Sequence, residues 1–144
     1  MSVFAPGPNG TILVDLPEPL LAFVANMAYQ VRQTVADSSA PGYERICSPV
    51  DPSLDDDDPL ARLERQYSIE SIASGVLESL DSPALTEEQA EAWLSVMTMA
   101  NALRAHLFGV FTDDDRAALG PEESLLLDVS PSLQFMLVEA LDAC

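Results

Sequence analysis

The sequence of 144 residues predicts a mainly α-helical fold, a small bundle of four to five helices with a short N-terminal β-hairpin. Apolar residues recur at helical spacing in the longer segments, and clusters of proline, glycine and aspartate separate those segments. An Asn-Gly pair between two short apolar runs near the start adds the hairpin. The length is typical of one domain, so we expect residues 1–144 to form a single domain.

The hairpin is expected over residues 2–15. Val3–Ala5 and Thr11–Val14 are the apolar runs, and Asn9-Gly10 lies between them. Asn and Gly both tolerate the positive φ angles that tight hairpin turns need. Two strands alone are marginally stable in water, so the hairpin must pack on helices or pair with another chain.

The first helix is expected over about 17–36. Its apolar stripe is Leu20, Val24, Met27, Val31 and Val35. No sustained period follows over residues 37–58, which therefore read as one long loop. Loops of that length in compact domains are usually functional or poorly ordered.

The second and third helices have the clearest start signals. Asp58 followed by Pro59 is typical of an N-cap and a first helical residue, so the second helix is expected over about 59–81. Thr86 and Gln89 have the spacing of a capping box, and the third helix is expected over about 86–109.

The C-terminal part predicts a short helix and a longer, interrupted one. Thr112 and the aspartates after it favour a short helix over about 112–119. A last helical segment is expected over 122–143, with a break near 130 because Ser130 and Pro131 look like a cap and a first helical residue.

The third helix is apolar around most of its surface, so it is either central in the core or shared with a partner. A candidate partner surface on it consists of Trp93, Met97, Met99, Leu103 and Phe108. Core packing is the commoner role for such residues. The surplus apolar surface nevertheless predicts a homodimer that buries part of it.

The charge is the most unusual property of the chain: 24 acidic residues stand against six arginines and no lysine, for a formal net charge of -18. Such a chain repels phosphates, which argues against direct nucleic-acid binding and against anionic membranes. It permits a basic protein partner. We expect a cytoplasmic protein, because the start resembles no secretion signal and no apolar run approaches the roughly 20 residues of a membrane span.

No catalytic, cofactor-binding or metal-binding residue is predicted. Asp55–Asp58 and Asp113–Asp115 offer oxygen ligands for Mg²⁺ or Ca²⁺, but neither run fits an EF-hand, and solvated capping segments account for them better. His106 is the only histidine, and Cys47 has no nucleophile motif around it. Cys47, His106 and an acid have the residue types of a catalytic triad, but no local motif supports one, and phosphate-binding glycine loops are missing.

Several weak motifs gain weight from their order and spacing. Besides the hairpin and the first helix, they are Asp57–Leu63, Leu85–Ala90, Ala92–Leu94, Gly109–Val110 and Leu133–Leu141. With them the chain resembles an actinobacterial family of uncharacterised proteins, a domain of unknown function usually encoded beside the adaptor of the Clp protease. The resemblance implies no activity, cofactor or site residue, and some members are labelled transcriptional regulators. The chain departs from the family pattern at Thr98–Asn101 and has a shorter middle loop and second helix.

Three functional hypotheses follow. The first is a non-enzymatic, cytoplasmic protein-interaction or regulatory domain with a protein partner, which the charge permits to be basic. The second is a transcription-associated acidic protein that acts through a partner or mimics the charge of DNA. The third, which the sequence supports least, is a Mg²⁺-dependent enzyme that uses the aspartate runs.

Overall fold

The computed structural model describes residues 3–47 and 59–143, and it confirms a mainly α-helical fold with an N-terminal hairpin. The described residues contain six helices and three short strands. In chain order they are β1 Phe4–Pro6, β2 Ile12–Val14, α1 Glu18–Val35, α2 Tyr43–Cys47, α3 Pro59–Ser79, β3 Ala84–Leu85, α4 Glu87–Leu107, α5 Asp113–Ala117 and α6 Pro121–Asp142.

The strands form an antiparallel sheet in the order β1-β2-β3, with Phe4 opposite Val14 and Ile12 opposite Leu85. Asn9 and Gly10 both have positive φ, as their part in the connection requires. The third strand was not predicted, because two residues are too few to show an alternating pattern. It anchors the hairpin to the segment between α3 and α4.

Helix α4 lies at the centre of the molecule and packs against α1, α3 and α6. Most of the buried apolar side chains of the sheet and the long helices join one hydrophobic cluster. Trp93 of α4 is fully buried there, and its ring meets Phe4 of β1 edge-on at 6.2 Å. The nearly all-apolar character of α4 therefore reflects its central position.

Local signals set the ends of the long helices within two residues of the predicted bounds. The Thr86 hydroxyl accepts from the Gln89 backbone N–H, and the Gln89 side chain accepts from the Thr86 backbone N–H. The predicted capping box is thus confirmed. Gly109, with φ of +72°, follows the end of α4, where the left-handed conformation favours glycine.

The prediction of one loop over 37–58 is wrong in part, because α2 lies inside it. Tyr43 and Cys47 of α2 are buried and pack with Val35 of α1 in a small second cluster. Tertiary packing, rather than a periodic pattern, therefore stabilises this five-residue helix. Residues 48–58 lie outside the described residues, and so do the Asp58 cap and the aspartate run before Pro59.

The predicted break near residue 130 is also wrong, because α6 continues through Pro131. A proline inside a helix costs about 3 kcal/mol. Leu127 before it and Leu133 and Leu137 after it are all buried, and each buried leucine contributes about 1.5–3 kcal/mol. The Ser130 hydroxyl donates to the backbone oxygen of Met97 in α4. Packing on both sides of Pro131 therefore stabilises α6 as one continuous helix.

Candidate functional site

The residues predicted to form a partner surface on α4 do not form an exposed surface. Trp93, Met97 and Leu103 are buried inside the chain, and Met99 and Phe108 are only partly exposed. The helices around α4 cover these side chains, since α1, α3 and α6 all pack against it. The homodimer stays a prediction, but the apolar surplus of α4 no longer supports it.

No hydrogen bond among the described residues joins Cys47 to His106. Cys47 is buried, and burial raises the pKa of its thiol, with a side-chain hydrogen bond to Tyr43 acting in the opposite direction. His106 instead packs edge-on against Phe111 at 5.8 Å. A buried thiol with a raised pKa is a poor nucleophile.

The second aspartate run serves as a helix start. Asp115 is the capping-box acid of α5, and its carboxylate accepts from the backbone N–H groups of Phe111 and Thr112. These hydrogen bonds hold the pKa of Asp115 below its ordinary value. Within residues 3–47 and 59–143, no three His, Cys, Asp or Glu side chains are grouped so that they could hold a metal ion.

A groove of about 580 Å³ runs between α3 and α4. On each helix its lining residues recur every three or four positions, so each set lies on one face. The α3 residues are Ser71, Ile72, Ser74, Gly75 and Glu78, and the α4 residues are Glu88, Gln89, Glu91, Ala92 and Ser95.

Several residues that line the groove have small side chains or none. Gly75 lies in the interior of α3, and a Cβ added there would meet no atom within 4 Å. Ala92 and Ser95 of α4 line the same groove with short side chains. A glycine inside a helix costs about 0.5–1 kcal/mol relative to alanine, and no packing contact in the described part of the chain requires this one.

The charges that line the groove are all negative. Glu78, Glu88 and Glu91 are exposed, and among the described residues none of the three forms an ion pair. Each of the six arginines has a contact with a residue that does not line the groove. Arg32 lies over Tyr29, Arg45 over Phe111, Arg62 beside Glu44, Arg65 at the Cys47 carbonyl, Arg104 over Phe23 and Arg116 beside Asp128. The groove is therefore an open acidic site that suits a cationic group.

Sequence reasoning missed this groove. The spacing of Ser71, Ser74 and Glu78 on one helix, and of Glu88, Glu91 and Ser95 on the next, is visible in the sequence. Each set alone reads as an ordinary solvated face. That the two faces stand side by side depends on how α3 packs against α4, which the sequence pattern does not contain.

Helix α6 is the one described helix that is long and apolar enough to cross a membrane, with a mean hydropathy of 1.3. The sequence analysis expected no membrane-spanning segment. Asp128 and Pro131 interrupt the apolar residues of α6. The inner face of α6 packs into the core through Leu133, Leu137 and Ala140. Core helices of globular proteins pass the same test of length and composition, so it is weak support for a membrane span.

No protein-family model, curated protein or solved structure matches this chain. The carboxylates of the groove accept hydrogen bonds and attract cations, and the serines beside them can donate or accept.

Proposed function

We propose that this chain is a non-enzymatic, cytoplasmic protein-interaction domain whose α3–α4 groove binds a basic segment of a partner protein. The observation that carries the proposal is a set of three exposed glutamates, Glu78, Glu88 and Glu91, that line the groove together with small residues and form no ion pair with any described residue. Lysine or arginine side chains of a partner would supply the missing positive charges.

The overall charge supports the same partner class. A chain with a net charge of -18 attracts basic proteins and repels nucleic acids and anionic lipids over distances of about a Debye length. Charge steering of this kind raises association rates and selects partners by sign. At Gly75 a Cβ would meet no atom within 4 Å, which leaves room for the partner to approach the backbone of α3.

Carbodiimide cross-linking tests the proposal with little coupling inside the chain itself. The reagent joins a carboxylate to an amine, and the chain contains no lysine, so its carboxylates can couple only to an N-terminal amine or to lysines of another protein. We expect cross-linked products with basic proteins in a cell extract. The coupled sites should concentrate at Glu78, Glu88 and Glu91.

Two variants of equal charge provide the comparison. Glu78→Gln/Glu88→Gln/Glu91→Gln removes three charges from the groove, and Glu122→Gln/Glu123→Gln/Glu139→Gln removes three exposed charges from α6. The groove variant should lower the total yield of cross-linked complex at least about tenfold, because it removes both the charges that attract the partner and the carboxylates that couple to it. The α6 variant should give nearly the wild-type yield. Equal yields from both variants, or coupled sites spread evenly over all acids, would contradict the proposal.

A further inference from the structure

The outward face of the N-terminal half of α3 carries an exposed apolar stripe. Leu60, Leu63 and Tyr67 are spaced by three and four residues, and they are 65%, 45% and 65% exposed. Residues at this spacing lie on one face of a helix. The core-facing residues of α3, Ala73 and Val76, are on the opposite side of the helix axis. Three large apolar side chains therefore expose much of their surface along one face of α3.

The same face of α3 continues into the acidic groove. After Tyr67 the three-and-four spacing leads to Ser71, Ser74 and Glu78, all of which line the groove. Leu60 and Glu78 are 18 positions apart, which spans about 27 Å along the helix axis. We call this continuous face, from Leu60 to Glu78, the α3 strip. One half of it is apolar and the other half is polar and acidic.

Within the described part of the chain, glutamates lie on both sides of the α3 strip. Glu64 and Glu70 are exposed and flank the apolar half, and Glu78, Glu88 and Glu91 surround the acidic half. The two arginines of α3 lie on its other side, where Arg62 pairs with Glu44 and Arg65 donates to the backbone oxygen of Cys47. The strip therefore joins exposed apolar groups to five glutamates, with both α3 arginines turned away from it.

We propose that the α3 strip binds a basic amphipathic helix of a partner protein, an inference that rests on the proposed function. Apolar side chains of that helix, recurring every three or four residues, would seat on Leu60, Leu63 and Tyr67, as amphipathic helices do in apolar grooves. Its lysines and arginines would meet the flanking and groove glutamates. The exposed ring of Tyr67 also attracts cations to its face.

Charge complementarity selects this occupant over a second copy of the chain or a membrane. A second copy would bring its own net charge of -18, and an α3 strip placed against itself would oppose glutamates to glutamates. Anionic lipid surfaces repel the strip for the same reason. A basic helix gains both the apolar contact and the ion pairs.

Two synthetic peptides of 18 residues and identical composition test the inference. One places leucines every three or four residues and lysines on the remaining face, and the other has the same residues in an order without helical period. Affinities are measured by isothermal titration calorimetry at physiological salt, where attraction between distant exposed charges is largely screened. The amphipathic peptide should bind the wild-type chain at least about tenfold more tightly than its scrambled counterpart.

Matched variants locate the source of that preference. Leu60→Ser/Leu63→Ser/Tyr67→Ser removes the apolar stripe, and Leu125→Ser/Phe135→Ser removes two α6 side chains that are 63% and 65% exposed. The stripe variant should bring the affinity ratio of the two peptides close to one, and the α6 variant should leave it unchanged. All these positions are exposed, and thermal melts should confirm that each variant folds.

The outcomes separate this inference from the proposed function. If both peptides bind the wild-type chain equally but lose affinity in Glu78→Gln/Glu88→Gln/Glu91→Gln, the groove binds basic segments and the amphipathic-helix inference is wrong. If the groove variant binds both peptides as tightly as wild type, both proposals are wrong. A preference for the amphipathic peptide that survives in the stripe variant also overturns the inference.

Discussion

The indole nitrogen of Trp93 donates a 2.8 Å hydrogen bond to the hydroxyl oxygen of Ser79 inside the core. The same hydroxyl donates to the backbone oxygen of Val76, so the bond ties α4 to the last turn of α3. Glu78 and Ala92, the chain neighbours of these two residues, line the groove. The core bond therefore holds α3 and α4 together next to two residues that line the groove.

Replacing Ser79 by alanine should destabilise the fold. The change leaves the buried indole N–H of Trp93 without an acceptor, which costs about 1–3 kcal/mol. Urea unfolding followed by fluorescence measures this directly, because Trp93 is the only tryptophan. Ser71→Ala, at an exposed position of the same helix, should change the free energy of unfolding by less than about 0.5 kcal/mol. Equal free energies for the two variants would show that the bond contributes nothing.

Two glycine-to-alanine changes should have opposite effects. Gly42 has a φ of +84°, and an added Cβ would lie 2.6 Å from a Leu103 methyl carbon, so Gly42→Ala should cost at least about 2 kcal/mol. At Gly75 a Cβ meets nothing within 4 Å, and alanine favours a helix interior, so Gly75→Ala should add about 0.5–1 kcal/mol. Chemical denaturation measures the free energy of unfolding of both variants. A change of the same sign in both variants would contradict the geometry described at these two glycines.

The sequence predicted the parts of the fold that have local chemical signals. The Asn9-Gly10 turn, the Thr86 capping box and the helix start at Pro59 each depend on residues that are close in the chain. Helix α2 has too few residues for a period, and it forms because Tyr43 and Cys47 bury against α1 and α3. Pro131 is a local signal for a helix end, but α6 continues through it because side chains on both sides of it are buried in the core.

The candidate site was harder to predict than the fold. The groove consists of two helix faces that are ordinary by themselves, and their chemistry follows from their adjacency. The apolar composition of α4 suggested a partner surface, whereas the exposed apolar stripe lies at Leu60, Leu63 and Tyr67 of α3. Composition reveals how much apolar surface a chain has, but the packing of helices decides which of it stays exposed.

The contribution of Asp115 to stability should depend on pH in the acidic range. Its pKa is lowered by hydrogen bonds from the backbone of Phe111 and from Thr112, so the folded state favours the carboxylate. The stabilisation is therefore present above the ordinary pKa of 3.8 and is lost as the pH falls through the lower folded value. Asp113→Ala removes the same charge from the same turn and serves as the control. The free-energy gap between Asp115→Ala and Asp113→Ala should narrow below pH 3.8; a gap that stays constant with pH would contradict the capping role.

Cys47 should react slowly with thiol reagents in the folded chain. Burial raises the pKa of its thiol, which lowers the fraction of reactive thiolate and also restricts access. In a Cys144→Ser background, alkylation by iodoacetamide near neutral pH should be at least about tenfold slower than in the urea-unfolded chain. A rate equal to or above that of the unfolded chain would indicate an activated thiol and reopen the enzymatic hypothesis.

Filling the groove without changing its charge tests the central claim most directly. Gly75→Leu places a large side chain where a Cβ meets nothing within 4 Å, and leucine favours a helix more than glycine does. Ser132→Leu adds the same side chain at an exposed position of α6 and serves as the control. We predict that Gly75→Leu binds the amphipathic basic peptide at least about tenfold more weakly than wild type, with an unfolding free energy that is not reduced, while Ser132→Leu binds normally. Wild-type affinity in Gly75→Leu would contradict the claim that the α3–α4 groove is the binding site.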